Sequence, residues 1–162
     1  MQYASPSSRS AAVDSLDVVI LGATQIDTDF NVNVHTDSDG YIMGGSGGHS
    51  DTASGAKLSM IIAPMFRARM PIVTDHVHCI STPGKDIDVL VTQGGIAVNP
   101  RRPELKERLT AAGLPVVDIR ALKEKTEAIT GVPRPVPKGD RVVAEVIGRE
   151  GDLQDNIFNV VE

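Results

Sequence analysis

There is no tryptophan in these 162 residues, only three phenylalanines and two tyrosines, and a single cysteine. Each shortage closes a route. With so few rings the core must be built from Val, Ile, Leu and Ala, and the shortage argues against the stacked-aromatic mode of single-stranded nucleic-acid binding. One cysteine, Cys79, excludes an internal disulfide and a cysteine-based zinc site, and it suits a reducing, cytoplasmic setting. Basic residues number 16 against 21 acidic ones, for a net charge of -5, so the basic footprint of a nucleic-acid binder is missing too. No apolar run reaches the length of a membrane span, and the opening MQYASPSSRSAAVDS has no apolar core of a signal peptide. What remains is an ordinary globular balance, 41% hydrophobic and 23% charged, sufficient for one domain.

Glycine, by contrast, is plentiful and clustered. Residues 44–57 read GGSGGHSDTASGAK, and a cluster of the residue that loses most freedom on folding needs a reason. Around it, the periodicity predicts a strand buried on both faces at LDVVILGA (16–23) and a hairpin over 31–43, where NVNVH alternates ahead of the DSDG turn. A buried strand follows at KLSMIIAP (57–64), and one or two more at MPIVTDHVHCI (70–80). DIDVLVTQGGIAV (86–98) predicts two strands around a Gly-Gly turn. PELKERLTAAG (103–113) predicts a helix with Pro103 in its first turn and Gly113 as its stop. LPVVDI (114–119) predicts a strand, and Asp118 a cap on a second helix with Ile119, Leu122 and Ile129 on one face and Gly131 at its end. A stiff proline stretch, VPRPVPKG (132–139), leads to a terminal hairpin over 141–161. The predicted class is α/β, with a mixed, largely parallel sheet, flanking helices and a C-terminal β-hairpin.

Several motifs invite chemistry. GGSGG (44–48) fits G-x-S-x-G, but a nucleophile elbow needs several strands before it. The P-loop and the dinucleotide fingerprint both fail, since Lys57 is followed by Leu58 and Ser50 stands where a glycine belongs. His76 and His78, placed on one face of a strand, are either two metal ligands short of a set or a polar sheet edge. The glycine loop holds up better. Consecutive unhindered N–H groups make an anion-binding concavity, with Ser50 or Asp51 as cap of a short helix after it, and the alternative is a plain tight turn. Gln25 and Asp27 follow the first strand at the end where α/β sheets bind ligands, and Asn31 and Asn33 share one face of the next. Arg67, Arg69, Arg101 and Arg102 flank the apolar runs, where they meet an anionic group or simply face solvent.

The stretches LGATQIDTDFNVNVHTDSDG and GGHSDTASGAKLSMIIAP, then RARMPIVTDHV, STPGKDIDVLVTQGGIAVNPRRPEL and AAGLPVVDI, resemble the CoA-transferase superfamily and, within it, the alpha subunits of bacterial citrate lyases. The resemblance runs through the terminal hairpin, and the combination of GGHSDTA with GIAVNPRRPEL is specific. It implies a CoA-transferase-like α/β domain over 1–131, a linker over 132–139 and a hairpin over 140–162 packed on that domain, together forming the C-terminal part of a longer subunit. The implied reaction exchanges acetyl for citryl on a thioester carried by a CoA-derived prosthetic group of an acyl carrier subunit, or on acetyl-CoA, with no metal. The implied partners are the beta and gamma subunits, the N-terminal half of the same subunit and further copies of it in a homo-oligomer, with neither nucleic acid nor membrane involved. In glutamate-type relatives a Glu upstream of the loop attacks the thioester. None occurs here before Glu104, and citrate's own carboxylate is the implied nucleophile. The amides of Gly47, Gly48 and His49 are then the expected oxyanion donors. Gln25, Asn31 and Asn33 are expected to orient the acyl group, Asp51 and Thr52, within the substrate- or CoA-binding set, to fix the loop or cap the helix after it, and Arg101 to meet an anionic substrate or a CoA phosphate. The rival expectation is a CoA- or carrier-binding or assembly piece with no activity of its own.

Overall fold

A computed structural model describes residues 11–161. The serine-rich opening before Ala11 lies outside the described residues. A 3₁₀ turn at Ala12–Ser15 precedes β1 (Val18–Leu21), β2 (Gln25–Asp27), β3 (Val32–Asn33) and α1 (His49–Gly55). β4 (Leu58–Ile62), β5 (Phe66–Arg67), β6 (Met70–Pro71) and β7 (Val73–Thr74) follow. After a second 3₁₀ turn at Gly84–Asp86 come β8 (Val89–Thr92), β9 (Gly95–Val98), α2 (Pro103–Ala111), β10 (Val116–Val117) and α3 (Ile119–Thr130). The chain closes with β11 (Lys138–Ile147) and β12 (Leu153–Val160).

The main sheet has the order β1-β4-β8-β9-β10. All its pairings are parallel except β8 with β9. This is the mixed, largely parallel sheet of an α/β domain. Its centre is aliphatic, as the shortage of aromatics requires: Ile61 and Leu90 are partners in register across β4 and β8, and both are fully buried. The β8–β9 turn depends on both of its glycines. A Cβ on Gly94 would lie 2.5 Å from the Met65 sulfur, and one on Gly95, at φ +141°, 2.7 Å from Val117. A second sheet has the order β3-β2-β7. The β11–β12 hairpin packs on the body of the domain through Val146 and Ile157 against the buried Cys79. Its Asp155 carboxylate accepts from the Ile80 N–H at 2.7 Å, and its Gln154 amide donates to the Ile80 carbonyl at 2.7 Å.

Several expectations need correction. β1 is not buried on both faces: it is the sheet edge, and Val18 and Ile20 are 49% and 61% exposed. Nothing local in an apolar run marks it as an edge, because edge position depends on which strands pair. The hairpin over 31–43 reduces to a two-residue strand and a single bridge between Thr36 and Ile42. The alternation of NVNVH does not separate a buried from a polar face, since Asn33 and Val32 are both fully buried. Residues 76–79 are not in a strand, so His76 and His78 share no strand face. Ile129 is exposed, so the buried face of α3 ends at Thr126. The cap of α1 is Gly48 with no side-chain bond, and neither Ser50 nor Asp51 fills that role.

Candidate functional site

The glycine loop runs from β3 to α1 and is open. A Cβ on Gly44, Gly45 or Gly47 would meet nothing within 4 Å, and on Gly48 only a Thr52 methyl at 3.9 Å. Close packing within this chain therefore does not account for these four glycines. Gly47 alone has a backbone reason, a φ of +59°, which disfavours any residue with a Cβ. No backbone acceptor among the described residues takes the Gly47 or Gly48 N–H. The His49 N–H is already engaged, donating to the Ser46 carbonyl at 3.2 Å. The Thr52 hydroxyl donates back to the Gly48 carbonyl at 2.7 Å and so ties the loop to the first turn of α1. Asp51 stands half-buried in that turn.

Beneath the loop runs a chain of buried polar groups. His49 is 8% exposed. Its Nε2 lies 2.9 Å from the Gly22 carbonyl, directly after β1, and its Nδ1 lies 2.7 Å from the Thr82 hydroxyl. Burial, reinforced by the neighbouring His35, holds its pKa below the usual value, while the Gly22 carbonyl pulls the other way. His35 meets the hydroxyl of Ser81, which also accepts from the Val34 N–H at 2.9 Å. Asn33 is saturated. Its oxygen accepts from the N–H groups of His35 and Thr36 at 3.1 Å each, and its nitrogen donates to Gln25 Oε1 at 3.0 Å and to the Thr36 hydroxyl at 2.8 Å. Gln25 Oε1 also accepts from the His78 N–H at 3.2 Å. Both donors fix that oxygen, and the Gln25 residue is part of the lining of a cleft of about 420 Å³ lined also by Thr74, His76, His78, Arg134 and Lys138.

The other predicted residues are placed differently. Asn31 belongs to a turn: it donates to Asp27 at 3.1 Å and accepts from the Gly84 N–H at 2.8 Å. Arg102 is held by Asp88 at 2.6 Å and Glu104 at 2.7 Å. Arg101 is exposed and lies near Asp86, whose carboxyl burial pushes up and the cations Lys85 and Arg101 pull down. The loop, His49 and Thr52 thus form one unit at the end of β1, and Gln25 and Asn33 form another beside it. Ser81 and Thr82 are absent from the residues that the sequence pattern singles out. Two hydroxyls flanked by Cys79, Ile80 and a proline are the signal that was available.

The fold and this site define a mixed-sheet α/β domain in which a glycine loop with unhindered backbone is tied by His49 to the end of β1. The family model described as "Citrate lyase, alpha subunit (CitF)" matches residues 1–160. The chain belongs to that family. It is 53% identical over 161 residues to the citrate lyase alpha chain of Escherichia coli K12, and 51% identical over 159 residues to that of Klebsiella pneumoniae, covering 99% and 98% of this chain. These matches take in 32% and 31% of the relatives, so the chain spans about a third of their length. The crystal structure of the putative alpha subunit of citrate lyase from Streptococcus mutans, in complex with citrate, superposes with a TM-score of 0.95 at 48% identity, covering 99% of this chain and 32% of that one.

Proposed function

We propose that this chain is the glycine-loop portion of a citrate CoA-transferase, the activity that replaces acetyl by citryl on a carrier thioester. In this reading a carboxylate oxygen of citrate bonds to the acetyl thioester carbon and the carbon–sulfur bond breaks, releasing the thiolate. The thiolate then attacks the citryl carbonyl, and acetate leaves with the bridging oxygen. Each attack builds negative charge on a carbonyl oxygen, which preorganised N–H donors stabilise. Gly47 and Gly48 fill that role, while His49 and Thr52 hold them in place. Gln25, on the lining of the cleft, is the amide that orients a substrate carboxylate or the acyl oxygen. The acetyl donor is acetyl-CoA or the CoA-derived arm of an acyl carrier subunit, and Arg101 is the cation on offer to a CoA phosphate.

The observation that carries this reading is the open space around the loop. Four glycines meet no crowding from this chain, so the missing side chains leave room for something else to approach the backbone. Membership of the citrate lyase family and the citrate bound to the Streptococcus mutans relative supply the substrate class. A second reading, a binding or assembly portion, draws on the exposed apolar residues Val18, Ile20 and Ile62 with Tyr41, Ile42 and Met43, a surface suited to the rest of the subunit. Assaying acetyl-to-citryl exchange on acetyl-CoA, with this chain alone and then with the remainder of the subunit added, separates the two. Exchange that depends on this chain supports the transferase, and a folded, associated pair that remains silent supports the assembly reading.

A further inference from the structure

His49 presents an unusual combination: a buried imidazole in the middle of a glycine-rich loop, with both ring nitrogens engaged by groups distant in sequence. The Gly22 carbonyl can only accept, so Nε2 at 2.9 Å must carry the proton. In a neutral ring Nδ1 is then the acceptor, and the Thr82 hydroxyl at 2.7 Å donates to it. The ring thereby joins the end of β1, the first residue of α1 and the Ser81–Thr82 turn. Thr82 is fully buried, and its own N–H is anchored to the Val32 carbonyl at 3.1 Å, so the hydroxyl has a fixed base. On the loop side, the His49 N–H holds Ser46, and the Thr52 N–H and hydroxyl both hold the Gly48 carbonyl. Gly44, Gly45, Gly47 and Gly48 have no other clamp among these bonds, and they have no side chains to pack.

We infer that His49 is the positioning residue of the glycine loop, locked as its Nε2–H tautomer between the Gly22 carbonyl and the Thr82 hydroxyl. The role concerns how the loop is held, and it stands whether or not the loop serves acyl transfer. The tautomer is directly visible. Long-range proton–nitrogen NMR spectra of the unaltered chain at neutral pH should show the proton on Nε2 of His49. A proton on Nδ1 would overturn the assignment. The clamp is tested by hydrogen exchange. Thr82→Val removes one contact at nearly constant volume, and His49→Leu removes both. In each variant, the backbone amide at position 49 and the Thr52 amide should exchange roughly tenfold faster or more, the factor that follows from stranding one buried polar group. Amides of Ile61 and Leu90 in the central strands should not change. His49→Gln, which can still donate to the Gly22 carbonyl, should recover part of the protection lost in His49→Leu. Unchanged loop exchange in Thr82→Val and His49→Leu, or acceleration spread equally over Ile61 and Leu90, would refute the positioning role. Thr82→Val decides the matter if His49→Leu fails to fold.

Discussion

Gly48 has a φ of -91°, open to any residue, and a Cβ there would touch only a Thr52 methyl. Gly48→Val is therefore expected to cost no more than about 1 kcal/mol, the loss from a poorer helix cap, as measured by urea unfolding. Asn33 is the opposite case. Asn33→Ala leaves the Thr36 N–H and hydroxyl without a partner in a buried site, while Gln25 Oε1 keeps the His78 N–H and the His35 N–H keeps the Ser81 hydroxyl, and the expected loss is on the order of 3 kcal/mol by the same measurement. An effect below about 1 kcal/mol would mean that water replaces the network. At this scale the sequence was partly legible. Gln25 and Asn33 stood out as polar residues beside apolar runs, but the partners of Gln25 lie 8 and 53 residues away. Such long-range pairing leaves no local pattern, so an expected ligand contact at Asn33 became a saturated structural amide.

The elements with local signals came through best. Pro103 opens α2, and Gly131, at φ +81°, ends α3. The Asp118 side chain caps α3 by accepting from the Arg120 N–H at 2.8 Å. Asp118→Ala should lower stability by about 1 kcal/mol, and Asp118→Asn should restore most of it in thermal melts. Equal losses in both variants would mean that the charge matters and the cap bond does not. The Gly-Gly turn of β8–β9 was legible for the same reason: a turn residue type sits where the chain must reverse. By contrast, β2, β3 and β7 have two or three residues each, too few for any periodicity to register. The β2–β3 pair exists because Asp27 and Asn31 fold the chain back on itself, with the Asp27 carboxylate accepting from the N–H groups of Asp29 at 3.0 Å and Asn31 at 2.9 Å.

For the whole molecule, burial of histidine sets the pH response. Burial lowers the pKa of both His35 and His49 from the usual 6.5, with the proximity of His35 adding to the effect at His49. As pH falls through 6.5, the unfolded chain takes up these protons before the folded one does. Stability should accordingly be full above pH 6.5 and decline as acid approaches the lowered folded pKa values. Urea midpoints between about pH 7.5 and about pH 5 test this, and His49→Gln should flatten the decline. A slope of the opposite sign would contradict the burial of these rings. The fold class was readable from composition and β/α alternation. The sheet edge at β1 was not, because the exposure of Val18 and Ile20 depends on the strands that do not lie beside them. If the glycine loop is open for a reacting carbonyl oxygen, acetyl-to-citryl exchange by the full-length subunit carrying Gly48→Val will report it. A folded protein whose exchange rate falls by about 10²-fold or more is expected, in the range seen when an oxyanion donor is lost. Near-normal exchange would contradict that role of the loop.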